Sequence, residues 1–190
     1  MTGRAWRDEL SSRLGHLRFP VPPGTLLFSV AIELERMAGS YLRDGDHFES
    51  EGDPVNAIAS WSYALGWLDA GHSLGLIMAP CHDPRWIYQD IRIASTSGPK
   101  LIEKVHRYHA LLSTALGAVC PAAEPDTAMS RAADRFTLVA WVNREYGRSF
   151  LSSMRTPNAL GAFSYGHAWL DAGVRAGLFR IERSREIFTI

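Results

Sequence analysis

The chain has 190 residues, of which 46% are hydrophobic and 21% are charged. These values are typical of soluble globular proteins, and they exclude a disordered, collagen-like or low-complexity chain. The 20 Lys and Arg residues balance 20 Asp and Glu residues, so the chain lacks the basic excess that sequence-independent nucleic-acid binding requires. Charged residues at positions 4 and 7–9 argue against a signal peptide, and no run of about 18 apolar residues is present. We therefore expect a cytoplasmic protein without a membrane segment.

The first 79 residues predict a module of three helices. A short amphipathic helix is expected over Ala5–Leu17, where leucines recur at helical spacing. After a proline-containing linker, Thr25 is the expected N-cap of a longer helix that runs to about Ser50. A tight turn at Glu51–Pro54 then leads into a third helix, which is expected to end near Gly75.

Residues 80–98 are expected to form a linker between two modules. Prolines, glycines and serines interrupt this stretch, while β-branched and aromatic residues at 85–94 indicate a short strand. The two cysteines, Cys81 in the linker and Cys120 beyond it, form no Cys-x-x-Cys motif. We therefore expect two reduced thiols rather than a zinc site or a redox pair.

Residues 99–190 are expected to form a second three-helix module, because they repeat the first at a constant offset of 102 positions. The repeat is plainest where Ser62–Gly71 (SYALGWLDAG) corresponds to Ser164–Gly173 (SYGHAWLDAG). Further identities continue in both directions without an insertion, which indicates a tandem duplication. The sequence thus predicts an all-α fold of two three-helix bundle modules related by an approximate two-fold axis.

The end of the second module is the expected site of minor β structure. Residues 179–190 are rich in β-branched and aromatic side chains, and Phe179 and Ile181 alternate with polar residues. This pattern predicts a C-terminal hairpin that turns at Arg183–Arg185.

An aromatic stripe runs along the third helix of each repeat. Tyr63 and Trp67 stand four positions apart, as do their counterparts Tyr165 and Trp169, which predicts a core-facing seam rather than a cofactor site. Beside it runs a stripe of small residues, which would let another helix approach closely: Ala59, Ser62 and Gly66 in the first repeat, and Gly161, Ser164 and Ala168 in the second.

Asp69 and Asp171 are the most informative polar residues of the repeats. A carboxylate inside an apolar string needs a partner when it is buried, and the nearby cations differ, His72 in one repeat and Arg175 in the other. We therefore expect a structural hydrogen bond or salt bridge to another helix of the same module, with a ligand-contacting or catalytic carboxylate as the alternative. The candidate interaction or ligand site comprises Tyr63, Trp67, Asp69, Tyr165, Trp169 and Asp171.

The remaining polar residues form no recognisable catalytic or metal constellation. His106 and His109 share a helix face, but no carboxylate or thiol completes a ligand set, and the first repeat has Arg4 and Arg7 in their places. Neither a phosphate-binding glycine-rich loop nor a nucleophile elbow is present. We therefore predict no metal, no cofactor and no catalytic residue.

The two SY…WLDAG strings, with the proline-bearing turn before them and the Gly-Leu pair after them, give the chain a family resemblance. It resembles two tandem copies of the archaeal family called domain of unknown function 357. The resemblance covers most of both repeats and leaves out the linker at 81–99. It implies a small helical-bundle fold and an archaeal, cytoplasmic setting, and it supplies no activity and no catalytic residue.

Three functions remain open. Aromatic-rich helices and a neutral charge favour a non-enzymatic scaffold or interaction module that binds a protein partner or a second copy of itself, with nucleic acid not an expected partner. One alternative is an RNA-directed helical protein of the HEPN kind, although Arg43 and His47 are closer together than that motif requires and have no equivalent in the second repeat. The other is a small-molecule site between the modules, lined by tyrosine, tryptophan and aspartate from both.

Overall fold

A computed structural model describes residues 4–80, 91 and 93–189 of the chain. The first repeat contains α1 (Arg4–Gly15), α2 (Leu26–Ser50) and α3 (Pro54–Ser73). The second contains α4 (Gly98–Leu116), β1 (Val119–Pro121), α5 (Ala128–Ser152), α6 (Thr156–Arg175) and β2 (Phe179–Ile181). The predicted all-α fold, with two helical modules and minor β structure, is confirmed.

Corresponding helices begin and end at corresponding residues. The hydroxyls of Thr25 and Thr127 each accept a hydrogen bond from the backbone N–H three residues later. Thr25 therefore caps α2 as the sequence predicts, and Thr127 caps α5 in the same way. Both α3 and α6 carry a proline in their first turn, where its missing N–H costs nothing. After these helices the chain reverses at Gly75 and Gly177, whose φ angles of 70° and 76° suit glycine.

Each repeat is closed by backbone pairing between the segments that follow its first and third helices. In the second repeat, β1 and β2 form a two-stranded antiparallel sheet in which Cys120 lies opposite Arg180. In the first repeat, Arg18 and Met78 form an isolated antiparallel bridge at the corresponding positions. The duplication therefore extends to the backbone contacts that close each module.

The prediction of a C-terminal hairpin is correct for its first strand, β2, and wrong for its second strand. β2 pairs with β1, and a 3-10 turn at Arg185–Ile187 takes the place of the end of the expected turn and the start of the expected second strand. The alternation of Phe179 and Ile181 indicates a strand, but it does not identify a partner that precedes it by some sixty positions. Cys81 and most of the strand expected at 85–94 lie outside the described residues.

The third helices, α3 and α6, form the centre of the molecule, and most of their residues are buried. α3 packs against α2 and α6, while α6 also packs against α4 and α5. A Cβ atom on Gly66 would lie only 2.6 Å from the Cβ atom of Ala168, its counterpart in the second repeat. Because a residue meets its own counterpart only near a two-fold axis, this contact places such an axis between α3 and α6.

The stripe of small residues produces this close approach, as predicted. The hydroxyl of Ser164 on α6 donates a hydrogen bond of 2.6 Å to the carbonyl oxygen of Ala59 on α3. A Cβ atom on Gly161 would lie 3.0 Å from the hydroxyl oxygen of Ser62. Side chains larger than these would push the two helices apart and separate the repeats.

Candidate functional site

Two tyrosine–aspartate hydrogen bonds join the repeats across the α3–α6 interface. The hydroxyl of Tyr165 donates to Oδ2 of Asp69 at 2.8 Å, and the hydroxyl of Tyr63 donates to Oδ2 of Asp171. Each repeat thus supplies one donor and one acceptor to a reciprocal pair. The partner that the two carboxylates share lies on another helix, as predicted, but that helix belongs to the other repeat and not to the same module.

Asp69 also has a buried cation from its own repeat. Nη2 of Arg13, on α1, lies 2.6 Å from Oδ1 of Asp69, and the two side chains are only 3% and 11% exposed. In the second repeat the position of Arg13 is taken by Ala115. The guanidinium that compensates Asp69 therefore has no counterpart beside Asp171.

Asp171 accepts its hydrogen bonds from uncharged groups, while the charge of Arg175 acts on it from farther away. The backbone N–H of Thr189 donates to Oδ1 of Asp171 at 3.1 Å, and Nδ1 of His167 lies 3.7 Å from Oδ2. Burial raises the pKa of the Asp171 carboxyl to about 7, although the hydrogen bonds from Thr189 and the charge of Arg175 act to lower it. Burial also lowers the pKa of His167 to about 4, so its imidazole is neutral at neutral pH.

We expect the free energy of unfolding of the Asp171→Asn variant to increase relative to that of the wild type as the pH rises. The carboxyl pKa is 3.8 in a model peptide and about 7 in the folded protein, so the folded state binds more protons between these values. The free energy of unfolding therefore falls as the pH rises through this window, by at most about 1.4 kcal/mol per pH unit.

Urea unfolding of both proteins between about pH 5 and pH 7 measures this difference, which should grow by about 2 kcal/mol over that range. His167 has the opposite dependence, since its folded pKa is lowered, but it is present in both proteins. Two stability curves that run parallel over the same range would show that Asp171 is not a buried, proton-binding carboxyl.

Trp67 and Trp169 belong to the core. Their exposed fractions are 0% and 6%. The ring of Trp67 lies 6.1 Å from that of Tyr63, and the ring of Trp169 lies 4.8 Å from that of Phe136, both in edge-to-face arrangements. The aromatic stripe therefore faces the interior, which is the interpretation that the sequence favours.

A cavity of about 160 Å³ lies beside Tyr63, where the repeats meet. Of the six candidate residues, only Tyr63 lines it. Ser164, which also lines it, belongs to the stripe of small residues that both repeats share. The remaining polar residues of the wall have no identical counterpart in the other repeat, so the shared pattern does not indicate them: Tyr41, Ser60, Tyr108, His167 and Thr189. The lining residues come from α2, α3, α4, α6 and the C-terminal segment: Tyr41, Ala59, Ser60, Tyr63, Tyr108, Leu111, Ser164, His167, Ile187 and Thr189.

A separate apolar groove of about 420 Å³ takes residues from both repeats. It is lined by the first turns of α2 and α5 and by the residues that follow α3 and α6. Four pairs of lining residues are counterparts in the duplication: Leu27 and Met129, Val30 and Ala132, Leu74 and Ala176, and Leu76 and Leu178. This groove therefore shares the approximate two-fold symmetry of the α3–α6 interface.

Among the comparisons with known proteins, a family model matches the chain. The model of the family described as "Protein of unknown function (DUF357)" matches the chain twice, over residues 5–77 and 107–179. No curated protein and no solved structure matches the chain. None of the described helices has the length and apolar character needed to cross a membrane. Within the described part of the chain, no three His, Cys, Asp or Glu side chains are grouped to hold a metal ion.

Proposed function

The chain belongs to the DUF357 family through both of its repeats, and from this premise we propose that it is a non-enzymatic scaffold module that associates with a second copy of itself. Because the family is described as one of unknown function, membership in it does not indicate an activity for this chain. An archaeal source and a cytoplasmic location stay predictions from the sequence.

The apolar groove is the observation that carries the proposal. Leu27 and Met129, which occupy corresponding positions of the two repeats, are 54% and 48% exposed, and the neighbouring Leu26 is 79% exposed. Side chains of this size in contact with water lose the stabilisation that burial would give. Contiguous apolar surface on a soluble protein commonly marks an interaction site.

The symmetry of the groove favours a second copy of the chain as its occupant. Two copies that meet through the same surface form an isologous contact, in which each lining residue serves twice. Charge adds to this fit, because Glu33 on α2, which is 3.5 Å from Arg175 of its own chain, corresponds to Arg135 on α5, one turn beyond the groove residues Val30 and Ala132. When the first repeat of one copy faces the second repeat of the other, opposite charges meet.

The Leu27→Glu substitution tests this proposal by placing a charge in the groove. We expect the wild type to sediment as a dimer at about 100 µM and the variant to sediment as a monomer. At a concentration low enough for both proteins to be monomeric, their melting temperatures should be nearly equal, because the side chain is exposed within one chain.

Leu138→Glu is the matched control. Leu138 lies on α5 outside the groove and is 57% exposed, close to the value for Leu27, so this variant should remain a dimer. A wild-type protein that is monomeric at the same concentration would refute self-association through the groove, as would a dimer that survives the Leu27→Glu substitution.

A further inference from the structure

Met129 carries the only sulfur atom among the described side chains that line the apolar groove. The other lining residues are leucine, valine or alanine. The side chain of Met129 is 48% exposed, so a dissolved oxidant reaches it in the separate chain. Its counterpart in the first repeat is Leu27. The duplication therefore places an oxidisable thioether in the second repeat's half of the groove and an inert side chain in the other half.

Hydrogen peroxide converts a methionine thioether into a sulfoxide. The O–O bond of the peroxide breaks as the sulfur atom forms a bond to one oxygen, and water leaves, so the sulfur loses two electrons and the peroxide gains them. The product is a polar, chiral side chain in place of a flexible apolar one. Methionine sulfoxide reductases return it to the thioether, so the change is reversible.

A sulfoxide oxygen on Met129 has no side-chain partner in the groove, because every lining side chain is apolar. In an isologous contact the second copy supplies the same apolar surface. The oxygen accepts hydrogen bonds from water in the separate chain, where the side chain is about half exposed. Association removes this water and replaces it with nothing, and burial of an unpaired polar group is unfavourable.

We infer that Met129 is an oxidation site that controls association through the groove: its sulfoxide disfavours the dimer, and the dimer protects its thioether. The inference rests on the proposed function, because it needs a second copy on the groove. Oxidation takes place in the dissociated chains, in which Met129 is exposed. Association withdraws the same sulfur atom from solvent, so oxidation and association oppose each other reciprocally.

Peroxide treatment of the wild type tests whether the sulfoxide weakens the dimer. The protein is oxidised at a concentration at which it sediments as a monomer, freed of peroxide, treated with dithiothreitol to reduce its cysteines, and concentrated. We expect peptide mass spectrometry to find sulfoxide at Met129, and sedimentation to show a dimer dissociation constant raised at least about tenfold. Methionine sulfoxide reductase should restore the original constant.

Two results of this treatment would overturn the inference. One is an unchanged dissociation constant in protein whose Met129 is oxidised. The other is a thioether at Met129 that stays reduced in the monomer while the exposed methionines outside the groove are oxidised. Met78 and Met154, which are 53% and 90% exposed, provide that comparison within the same sample.

The Met129→Leu variant identifies the residue responsible, because it introduces the side chain that the first repeat carries. Its dissociation constant should be the same before and after peroxide treatment. Met154→Leu is the matched control and should respond to peroxide as the wild type does, because Met154 lies outside the groove. Equal weakening of the Met129→Leu dimer and the wild-type dimer by peroxide would overturn the inference.

The rate of oxidation tests whether the dimer protects Met129. As the protein concentration rises, the rate at Met129 should fall by the same factor as the monomer fraction measured by sedimentation, while the rate at Met154 stays constant. An equal rate at Met129 in monomer and dimer would overturn the inference. A wild type that is monomeric at about 100 µM refutes the proposed function and this inference together, whereas a dimer that is indifferent to sulfoxide at Met129 refutes this inference alone.

Discussion

Replacing Trp67 with alanine is expected to lower the free energy of unfolding by about 3–5 kcal/mol. The Trp67 side chain has an exposed fraction of 0% and packs edge-to-face against Tyr63. Its removal loses the burial of a large ring and leaves a cavity that the tightly packed α3–α6 interface cannot close. Trp169→Ala should have a similar effect, because Trp169 is 6% exposed and contacts Phe136 at 4.8 Å.

Trp141→Ala is the control for this measurement. Trp141 is 47% exposed on α5, so its loss should change stability by no more than about 0.5 kcal/mol. Chemical unfolding of the three variants and the wild type gives the comparison. If Trp67→Ala proved as stable as Trp141→Ala, the aromatic stripe could not be the core of the molecule.

Removal of Arg13 is expected to have an effect of the same size for an electrostatic reason. The Arg13→Leu substitution takes away the guanidinium that lies 2.6 Å from Asp69, in a pair whose side chains are 3% and 11% exposed. Breaking one side of a buried ion pair costs about 3–5 kcal/mol, because the remaining charge stays in a medium that solvates it poorly. Adding Asp69→Asn to the variant should restore part of this loss.

Arg7 provides a matched control on the same helix. Its Nη2 atom lies 3.0 Å from Oδ2 of Asp46, but the two side chains are 39% and 37% exposed. Ion pairs in contact with water contribute about 1 kcal/mol or less, so Arg7→Leu should be nearly neutral. Urea unfolding that finds equal losses for Arg7→Leu and Arg13→Leu would show that burial does not set the strength of the Arg13–Asp69 pair.

The duplication made most of the fold predictable. A helix cap such as Thr25 or a terminating glycine such as Gly75 acts on its own neighbours, so its effect can be inferred locally, and the second repeat supports each inference independently. The pairing of β2 with β1 could not be inferred in this way. An alternating pattern defines which side chains share a face, but the partner strand depends on how the whole module closes.

The candidate site was predictable only where the repeats agree. Tyr63 and Asp171 stand out because both repeats keep a tyrosine and an aspartate at these positions, and their contact lies on the symmetric interface. His167 could be predicted only as a neighbour of Asp171 on its own helix, and Arg13 could not be predicted, because each occurs in one repeat alone. Positions at which two otherwise similar repeats exchange an apolar side chain for a polar one are the signal that would have found them.

The reciprocal tyrosine–aspartate pairs have a consequence for how this interface can mutate. In an assembly of two identical chains, every change in the gene appears on both sides of the axis at once. Joining the halves in one gene removes that constraint, so a leucine can remain at position 65 while a histidine occupies position 167. Fusion thus lets two equivalent carboxylates acquire different chemistry, one in an ion pair with Arg13 and the other with a pKa that burial raises to about 7.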